Sequence, residues 1–248
     1  MIFGLGLASD PLSYLIYIVM SLVAAYLAIV PHEIAHGLVA LWNGDPTAKN
    51  CGRLTMNPVK HFDAVGFIMM FVMGFGYAKP VPVNPSNFKH YKRGMFAVAI
   101  AGIATNIIIA FISALLLCLM AYGFSMSTTG EARTAFNYFY NFFYLLGIIN
   151  LSLGFFNLLP IFPLDGYRMI ESFTSPYNAY CRFMRVNGRY ILYGLIGLSL
   201  IVSMANSYLA LPQWLRYFDL LGTYRNFFAY NLHNIFVKFW GLMIPGVT

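Results

Sequence analysis

An apolar run at residues 12–42 sets the narrowest limit on how this chain can fold. As a helix, these thirty-one residues reach about 47 Å at about 1.5 Å per residue, whereas the hydrocarbon core of a bilayer is about 30 Å thick. The run therefore predicts a membrane-spanning helix that tilts, bends or protrudes. Pro31 removes one backbone hydrogen bond from it, so we expect a bend or a loosened turn there.

Near the end of this run lies the motif His32-Glu33-Ile34-Ala35-His36. Residues four apart share one face of a helix, so His32 and His36 present two imidazoles to the same point, with Glu33 beside them. This spacing is typical of a zinc site in which the glutamate acts as the base for peptide hydrolysis. The alternative is that this five-residue motif arose by chance or that its side chains only pair with one another. Ionisable side chains are costly to bury in a membrane span, however, so their presence there indicates a functional site.

The composition indicates several membrane segments. Hydrophobic residues make up 60% of the chain, charged residues make up 9%, and the mean hydropathy is +0.68. In soluble domains about a quarter of all residues are charged, so this composition predicts a polytopic membrane protein surrounded by the lipid bilayer. The net charge of +7 comes from basic residues in loops beside apolar runs, which is typical of topology signals and not of nucleic-acid binding.

The cysteines and the first residues limit the class further. Cys51, Cys118 and Cys181 are widely spaced and form no Cys-x-x-Cys pair, so we expect neither a disulfide framework nor a cysteine zinc site. Residues 1–9 lack a basic segment, so we expect no cleaved signal peptide. The first span is therefore expected to stay in the mature protein.

Three later apolar runs are long enough to cross the membrane, namely 95–122, 135–159 and 190–207. Two other stretches are ambiguous. Residues 62–78 are apolar but number only seventeen and contain three glycines, whereas residues 227–244 hold His233 and Lys238. Either stretch could cross the membrane or only enter it.

The orientation of the chain depends on residues 62–78. If this segment enters the membrane and returns, eleven basic residues share one side, and Arg133 alone lies on the other among the loops between spans. The eleven are Lys49, Arg53, Lys60, Lys79, Lys89, Lys92, Arg93, Arg168, Arg182, Arg185 and Arg189. We therefore predict a cytoplasmic basic side. The expected fold is an all-α polytopic membrane protein with about five to six membrane segments and a small re-entrant β element after the first span.

A third metal ligand is expected where the run 135–159 ends. Pro160 and Pro163 cannot both lie in an undisturbed helix, and unwound backbone at membrane depth normally lines a cavity. Asp165 follows this break at about the depth of the two histidines, which makes it the best candidate. A role as a helix cap or an ordinary loop carboxylate stays open.

The other polar residues of interest have weaker patterns. Asn106 lies inside the run 95–122, where a buried amide suits either an interhelical contact or a substrate contact. The remaining histidines, His61, His90 and His233, are interpreted as loop or interfacial residues. None of the three is a predicted ligand.

Three motifs together resemble the site-2 protease family of intramembrane zinc metalloproteases. They are His32-Glu33-Ile34-Ala35-His36, Ala101-Gly102-Ile103-Ala104-Thr105-Asn106, and the stretch from Asn157 through Leu164-Asp165-Gly166. The match covers residues 12–166. It implies that His32, His36 and Asp165 hold one zinc ion, that Glu33 is the general base and acid, and that Asn106 lies near the scissile carbonyl.

The stretch Lys79-Pro80-Val81-Pro82-Val83-Asn84 also resembles the edge-strand region of that family. An unwound substrate would add to this edge as a strand, which makes Asn84 a candidate for substrate binding. The chain departs from the family at Ile103, where the middle motif usually has proline. It also has no room for an inserted PDZ domain or an appended CBS-like domain, which suggests a minimal form or external partners.

These observations predict a membrane-embedded metalloprotease core at residues 1–166 and C-terminal membrane helices at residues 167–248 of the same domain. The expected activity is hydrolysis of peptide bonds within or next to the transmembrane segments of single-span proteins. We expect a multi-pass protein of the cell membrane with its active site near the cytoplasmic side. A regulatory partner or an oligomer stays open.

Other functions fit the same residues. A metal-binding transporter or sensor would use the ligands without catalysis, although it has little need for Glu33 between them. A scaffold without zinc that traps substrates is a second alternative. A membrane protease that trims lipidated or secreted tails is a third.

Overall fold

The computed structural model describes residues 11–61, 63, 66, 79–175, 177–209 and 218–244, without the side chains of 207–209. All regular elements in these ranges are helical. They are α1 (Pro11–Trp42), α2 (Thr47–Asn50), α3 (Pro58–His61), α4 (Tyr91–Met126), α5 (Gly130–Leu158), α6 (Asp165–Phe173), α7 (Ala179–Leu209), α8 (Leu220–Arg225) and α9 (Asn231–Gly241), with a 3-10 turn at Pro85–Asn87 and a π-helical turn at Asn226–Tyr230. The predicted all-α class is confirmed for these residues.

Four of these helices are long and apolar enough to cross a membrane: α1, α4, α5 and the part Ala179–Asn206 of α7. Helix α1 continues through Pro31 without interruption. The helices extend beyond the apolar runs 95–122 and 135–159, since α4 ends at Met126 and α5 begins at Gly130, which leaves only residues 127–129 between them. Thr129 explains the early start of α5, because its hydroxyl accepts a hydrogen bond from the backbone N–H of Ala132 at 3.3 Å and caps the helix.

Helices α1, α4 and α5 form the centre of the bundle, with the most extensive packing between α4 and α5. Small side chains line these contacts, and Ala24, Ala28, Ala99 and Ala110 have no exposed surface. Lipid supplies little hydrophobic drive for helices to associate, so close backbone approach across small residues is a main source of packing energy. The two histidines on α1 and Asn106 on α4 therefore lie on helices that pack closely against each other.

The predicted β element is not seen in the described residues, none of which is in a strand. The stretch 62–78, where the re-entrant element is expected, lies outside the described residues apart from Asp63 and Gly66. The adjoining segment 79–84 has no regular secondary structure, and its backbone is held by side chains. Glu33 accepts a hydrogen bond from Val81 N–H, and Asp45 accepts one from Asn84 N–H. Both N–H groups thus have partners without a neighbouring strand.

Residues 220–241 continue from α8 through the π-helical turn into α9 without a break. The indole N–H of Trp240 donates to the carbonyl of Phe111 at 3.0 Å, and the thiol of Cys118 donates to the carbonyl of Val237 at 3.7 Å. Phe111 and Cys118 lie in the C-terminal half of α4. Helix α9 therefore packs against one of the four candidate membrane-spanning helices.

Two histidines differ from their predicted interfacial positions. His233 on α9 is only 2% exposed, because Gly147 on α5 leaves space for its ring: a Cβ at Gly147 would lie 3.0 Å from the imidazole. His61 is also 2% exposed, and its Nε2–H donates to the carbonyl of Thr55 at 2.8 Å. Both rings are packed inside the protein.

The packing predicts which thiols react in the folded protein. Cys51 is exposed, whereas Cys118 and Cys181 have no exposed surface. A hydrophilic maleimide should therefore modify Cys51 rapidly in mild detergent and reach the other two thiols only after denaturation, as measured by intact mass. The Cys51→Ser protein is the control and should take up no label while folded. Rapid labelling of Cys118 or Cys181 would contradict this packing.

Candidate metal centre

The two histidines of the α1 motif meet on one face of the helix, as their spacing predicts. Their Nε2 atoms lie 3.0 Å apart, and the residues are 3% and 6% exposed. The rings meet edge to face, with centroids 4.5 Å apart. Two imidazole nitrogens therefore point at one location inside the bundle.

The other ring nitrogen of each histidine is held by α4. Nδ1–H of His36 donates to the carbonyl of Val98 at 2.7 Å. Nδ1–H of His32 donates to the side-chain oxygen of Asn106 at 2.6 Å. An N–H at Nδ1 leaves the lone pair at Nε2, so these bonds select the tautomer in which both lone pairs face the site.

The orientation of the Asn106 amide follows from its neighbours. Its Nδ2 donates to the carbonyl of Ala28 at 3.0 Å and to Oδ1 of Asn150 at 2.8 Å. Asn150 in turn donates to the carbonyl of Leu146 at 2.8 Å. With both N–H groups engaged, only the oxygen of Asn106 remains to accept from His32. A chain of buried amides thus links α1, α4 and α5 behind the metal site.

The surroundings of Asn106 therefore differ from those expected of a residue that contacts the substrate, which is the role that the family resemblance implies. Its side chain has no exposed surface, and its polar atoms contact His32, Ala28 and Asn150. This position lies behind the imidazole of His32. Asn150 was missed in the sequence, although an amide inside an apolar span is the same signal that identified Asn106.

Asp165 is the first residue of α6 and completes the cluster. The backbone leaves the helix after Leu158, passes through a cis Phe162–Pro163 bond and becomes helical again at Asp165, so the predicted break is confirmed. A Cβ at Gly166 would collide with the carbonyl oxygen of Leu158, so the close return of the chain requires glycine. The alternative role as a helix cap does not apply, because Leu164 is the N-cap residue.

The carboxylate of Asp165 lies close to both imidazoles. Its Oδ2 is 3.3 Å from Nε2 of His32 and 3.1 Å from Nε2 of His36, and Asp165 is 5% exposed. Oδ2 is buried without a hydrogen-bond partner. With both Nδ1 atoms acting as donors, the three facing atoms are all acceptors. Such a group is stable in a buried site only when a cation lies between its members.

Zinc fits this donor set. Tetrahedral zinc with ligand bonds of about 2.0–2.1 Å holds its ligand atoms about 3.3–3.4 Å apart. The observed separations of 3.0, 3.1 and 3.3 Å approach that value. Two imidazoles and a carboxylate leave a fourth position for water or substrate. Within the described residues, this is the one group of three or more His, Cys, Asp or Glu side chains that could hold a metal.

Glu33 lies beside the cluster and faces the segment 79–84. It is half-buried, and its Oε2 accepts a hydrogen bond from Val81 N–H at 2.8 Å. Oε1 makes no hydrogen bond with the described residues. Asn84 lies at the far end of the same segment, exposed, and its Oδ1 accepts a hydrogen bond from Ser86 N–H at 3.2 Å. Asn84 is therefore separate from the metal cluster.

A buried cluster of two histidines and an aspartate between spanning helices, with a glutamate beside it, defines an intramembrane zinc metalloprotease. The comparison with family models agrees: the model for peptidase family M50 matches residues 20–201. The chain belongs to this family, whose members are the site-2 protease-like zinc metalloproteases. The resemblance inferred from the three motifs is thereby confirmed.

Two curated proteins illustrate the similarity. The Bacillus subtilis protein named "Putative zinc metalloprotease YwhC" is 46% identical over 167 residues, which cover 67% of this chain and 73% of the relative. The zinc metalloprotease MJ0392 of Methanocaldococcus jannaschii is 21% identical over 213 residues, which cover 83% of this chain and 50% of the relative. The chain thus spans only half the length of the second relative. No solved structure gives a significant match.

The contact between His32 and α4 predicts a requirement for glycine at position 102. A Cβ there would lie 2.5 Å from Cε1 of His32 and 2.7 Å from its ring nitrogens. Gly102→Ala should displace the ring and weaken zinc binding by about tenfold or more, as expected for a disturbed support of a ligand. Zinc content after competition with a chelator measures the effect.

The matched control is Gly194→Ala on α7, where a Cβ meets nothing within 4 Å. This variant should retain zinc as the wild type does. Equal zinc retention by the two variants would mean that the ring of His32 does not depend on close contact with α4.

Proposed function

We propose that the protein hydrolyses peptide bonds within or next to the transmembrane segments of single-span membrane proteins. The observation that carries this proposal is the convergence of His32, His36 and Asp165 beside Glu33, inside helices long enough to span a membrane. A substrate bond cleaved there lies at or near membrane depth. Membership of peptidase family M50 supports the same substrate class.

His32, His36 and Asp165 would hold the zinc ion. When bound, zinc polarises a carbonyl group and lowers the pKa of water towards neutrality. Glu33 takes the proton from the attacking water and passes it to the leaving amine. Its Oε2 is held by Val81 N–H at 2.8 Å, so the carboxylate cannot rotate freely and Oε1 remains available for the water.

We assign Asn106 a positioning role in this reaction. Its oxygen holds Nδ1–H of His32 at 2.6 Å, and its two N–H groups are engaged by Ala28 and Asn150. The amide can therefore fix the ring of His32 without rearrangement. A direct contact with the substrate carbonyl would require it to leave these partners.

The segment 79–84, which lies in no helix and no strand, suits an unwound substrate that adds to it as a strand. Pro80 and Pro82 have no N–H, and the N–H of Val81 is engaged by Glu33. The backbone carbonyls of residues 80–83 accept no hydrogen bond from the described residues. The segment can thus accept hydrogen bonds from the N–H groups of a substrate strand, and Asn84 lies where such a strand would leave.

The domain organisation that we propose is a single membrane domain. In this proposal residues 1–166 carry the candidate site, and the C-terminal membrane helices within residues 167–248 belong to the same domain. The hydrogen bonds from Trp240 and Cys118 between α9 and α4 support this arrangement. We also propose that the helical residues 220–241 form a fifth membrane segment, since they pack against α4, a candidate membrane-spanning helix.

We propose that the active site lies near the cytoplasmic face. His36 precedes the end of α1 by about 9 Å at about 1.5 Å per residue, and most basic loop residues follow on that side. Cys51 reports the orientation, because it is exposed just after α2. A membrane-impermeant maleimide should label Cys51 in inverted vesicles and not in intact cells. The reverse pattern would place the site on the opposite face.

The role of Glu33 predicts a separation of catalysis from zinc binding. Glu33→Gln keeps the shape of the side chain but removes its capacity to take a proton, so cleavage should fall by at least about a hundredfold while zinc stays bound. A panel of single-span proteins in liposomes, assayed together with zinc content, provides the measurement.

The matched control is Glu131→Gln, since Glu131 is exposed in the first turn of α5 at the other end of the bundle. It should cleave the panel as the wild type does. Full cleavage by Glu33→Gln would exclude Glu33 as the base. A wild-type protein that moves zinc across the vesicle membrane and cleaves nothing would instead identify a transporter.

A further inference from the structure

Asp45 is a buried carboxylate outside the metal site. It has no exposed surface, and it forms no ion pair with any described residue. Its charge is instead stabilised by hydrogen bonds. Oδ1 accepts from Thr47 N–H at 3.1 Å, from the Thr47 hydroxyl and from Nδ2 of Asn87 at 2.8 Å, while Oδ2 accepts from Asn84 N–H at 2.7 Å. A buried charge with this many donors has a specific structural task.

These donors hold Asp45 in its charged form. Burial raises the pKa of Asp45, but the hydrogen bonds from Thr47, Asn87 and Asn84 outweigh burial and keep the pKa below its ordinary value. The side chain is therefore a carboxylate at neutral pH. As an acceptor on both oxygens, it can hold two chain segments at once.

The segments that Asp45 joins are the end of α1 and residues 84–87. Gly44 ends α1 in a left-handed conformation with φ of +105°, and Asp45 N–H returns to the carbonyl of Ala40 at 2.9 Å. A Cβ at Gly44 would lie 3.0 Å from the carbonyl oxygen of Asn87, so the two backbones are in close contact. Next to this contact, Lys89 N–H donates to the carbonyl of Asn43 at 3.0 Å.

The same segment reaches Glu33 at its other end. Val81 donates its N–H to Glu33 at 2.8 Å, and Asn84 donates its N–H to Asp45 at 2.7 Å. A Cβ on Gly37 would lie 2.9 Å from Cγ1 of Val81, so the Val81 side chain packs closely against α1. The segment is therefore attached at two points, one on α1 and one in the loop that follows α1.

We propose that Asp45 is a positioning residue for Glu33, which sets the register of segment 79–84 and thereby holds the Val81 N–H against the Glu33 carboxylate. The inference rests on the proposed function, in which Glu33 is the base. Asp45 itself contacts neither the ligands nor the site of reaction. It acts through the backbone of the segment that it anchors.

Asp45→Asn tests this role with little change in shape. The side chain of Asn at position 45 has one acceptor oxygen, where Asp45 has two. Either Asn84 N–H or Asn87 Nδ2 then faces the NH2 group of residue 45 and loses its acceptor. The segment should loosen at this end. The double variant Asp45→Asn with Asn87→Asp restores a donor and acceptor pair between the two side chains, while the oxygen of residue 45 still accepts from Asn84 N–H.

The first measurement follows the segment without using catalysis. Val83→Cys is introduced into the Cys51→Ser protein, since Val83 is partly buried against the cluster of Ala40, Phe88 and Val98. A hydrophilic maleimide should label this thiol about tenfold faster in the Asp45→Asn protein, because local opening becomes easier. In the double variant, labelling should return towards the original rate.

The second measurement is cleavage of a single-span protein that the wild type cuts in liposomes. In Asp45→Asn, kcat should fall by about tenfold to a hundredfold, as expected for a displaced catalytic group, while zinc content stays unchanged. The double variant should recover part of the loss. The control Asp219→Asn changes another carboxylate that accepts from a backbone N–H, that of Gly222 at 2.7 Å, and should leave kcat and labelling unchanged.

Each result decides between the possibilities. Unchanged labelling in Asp45→Asn shows that Asp45 does not anchor the segment, and faster labelling with unchanged kcat shows that the anchor does not position the base; either result overturns the proposal. Loss of zinc in parallel with kcat also overturns it, because it indicates general damage to the core. A wild type that cleaves no substrate rejects the proposed function itself and, with it, the positioning role.

Discussion

Three lone pairs directed at one point among apolar helices impose the main constraint on this structure. Nε2 of His32, Nε2 of His36 and Oδ2 of Asp165 lie within 3.3 Å of one another. In a medium of low dielectric constant such acceptors repel each other unless a cation separates them. The protein keeps protons away from this point by engaging both Nδ1–H groups with oxygens of α4, at Asn106 and Val98. The packing of α1 on α4 thus orients the two imidazoles so that the site requires a cation.

The parts of the site that follow from local rules could be predicted from the sequence. The shared face of His32 and His36 follows from helical periodicity, and the break before Asp165 follows from Pro160 and Pro163. The contact between Asn106 and Asn150 joins residues 44 apart, and no local pattern indicates such a pairing. The ligands are therefore easier to predict than the residues that orient them.

The burial of His233 shows the same limit for the fold. The polar neighbours Asn231 and Asn234 favour a surface position for His233. Its ring is nevertheless buried, because Gly147 on another helix has no side chain and leaves space for it. Whether a side chain is buried thus depends on space left by residues of other helices, and the sequence around that side chain does not reveal this space. The absence of a helix at residues 79–84 is in keeping with Pro80 and Pro82, whereas no local pattern indicates that this segment is attached to α1. That attachment uses the carboxylates of Glu33 and Asp45, which are 39 or more residues away in the sequence from the backbone N–H groups that they bind.

The bond between Glu33 and Val81 links proton transfer to substrate presentation. A carboxylate that is free to rotate must lose conformational freedom before it can act as a base, whereas one fixed by a backbone N–H has already lost it. The N–H that fixes Glu33 belongs to segment 79–84, to which we propose that a substrate strand adds. In that mode of binding, a substrate paired with residues 80–83 would be aligned against the same backbone that aims the base. The relative position of scissile bond and base then depends on one short segment, and the loop that anchors this segment to α1 becomes part of the catalytic geometry although it touches no reacting atom.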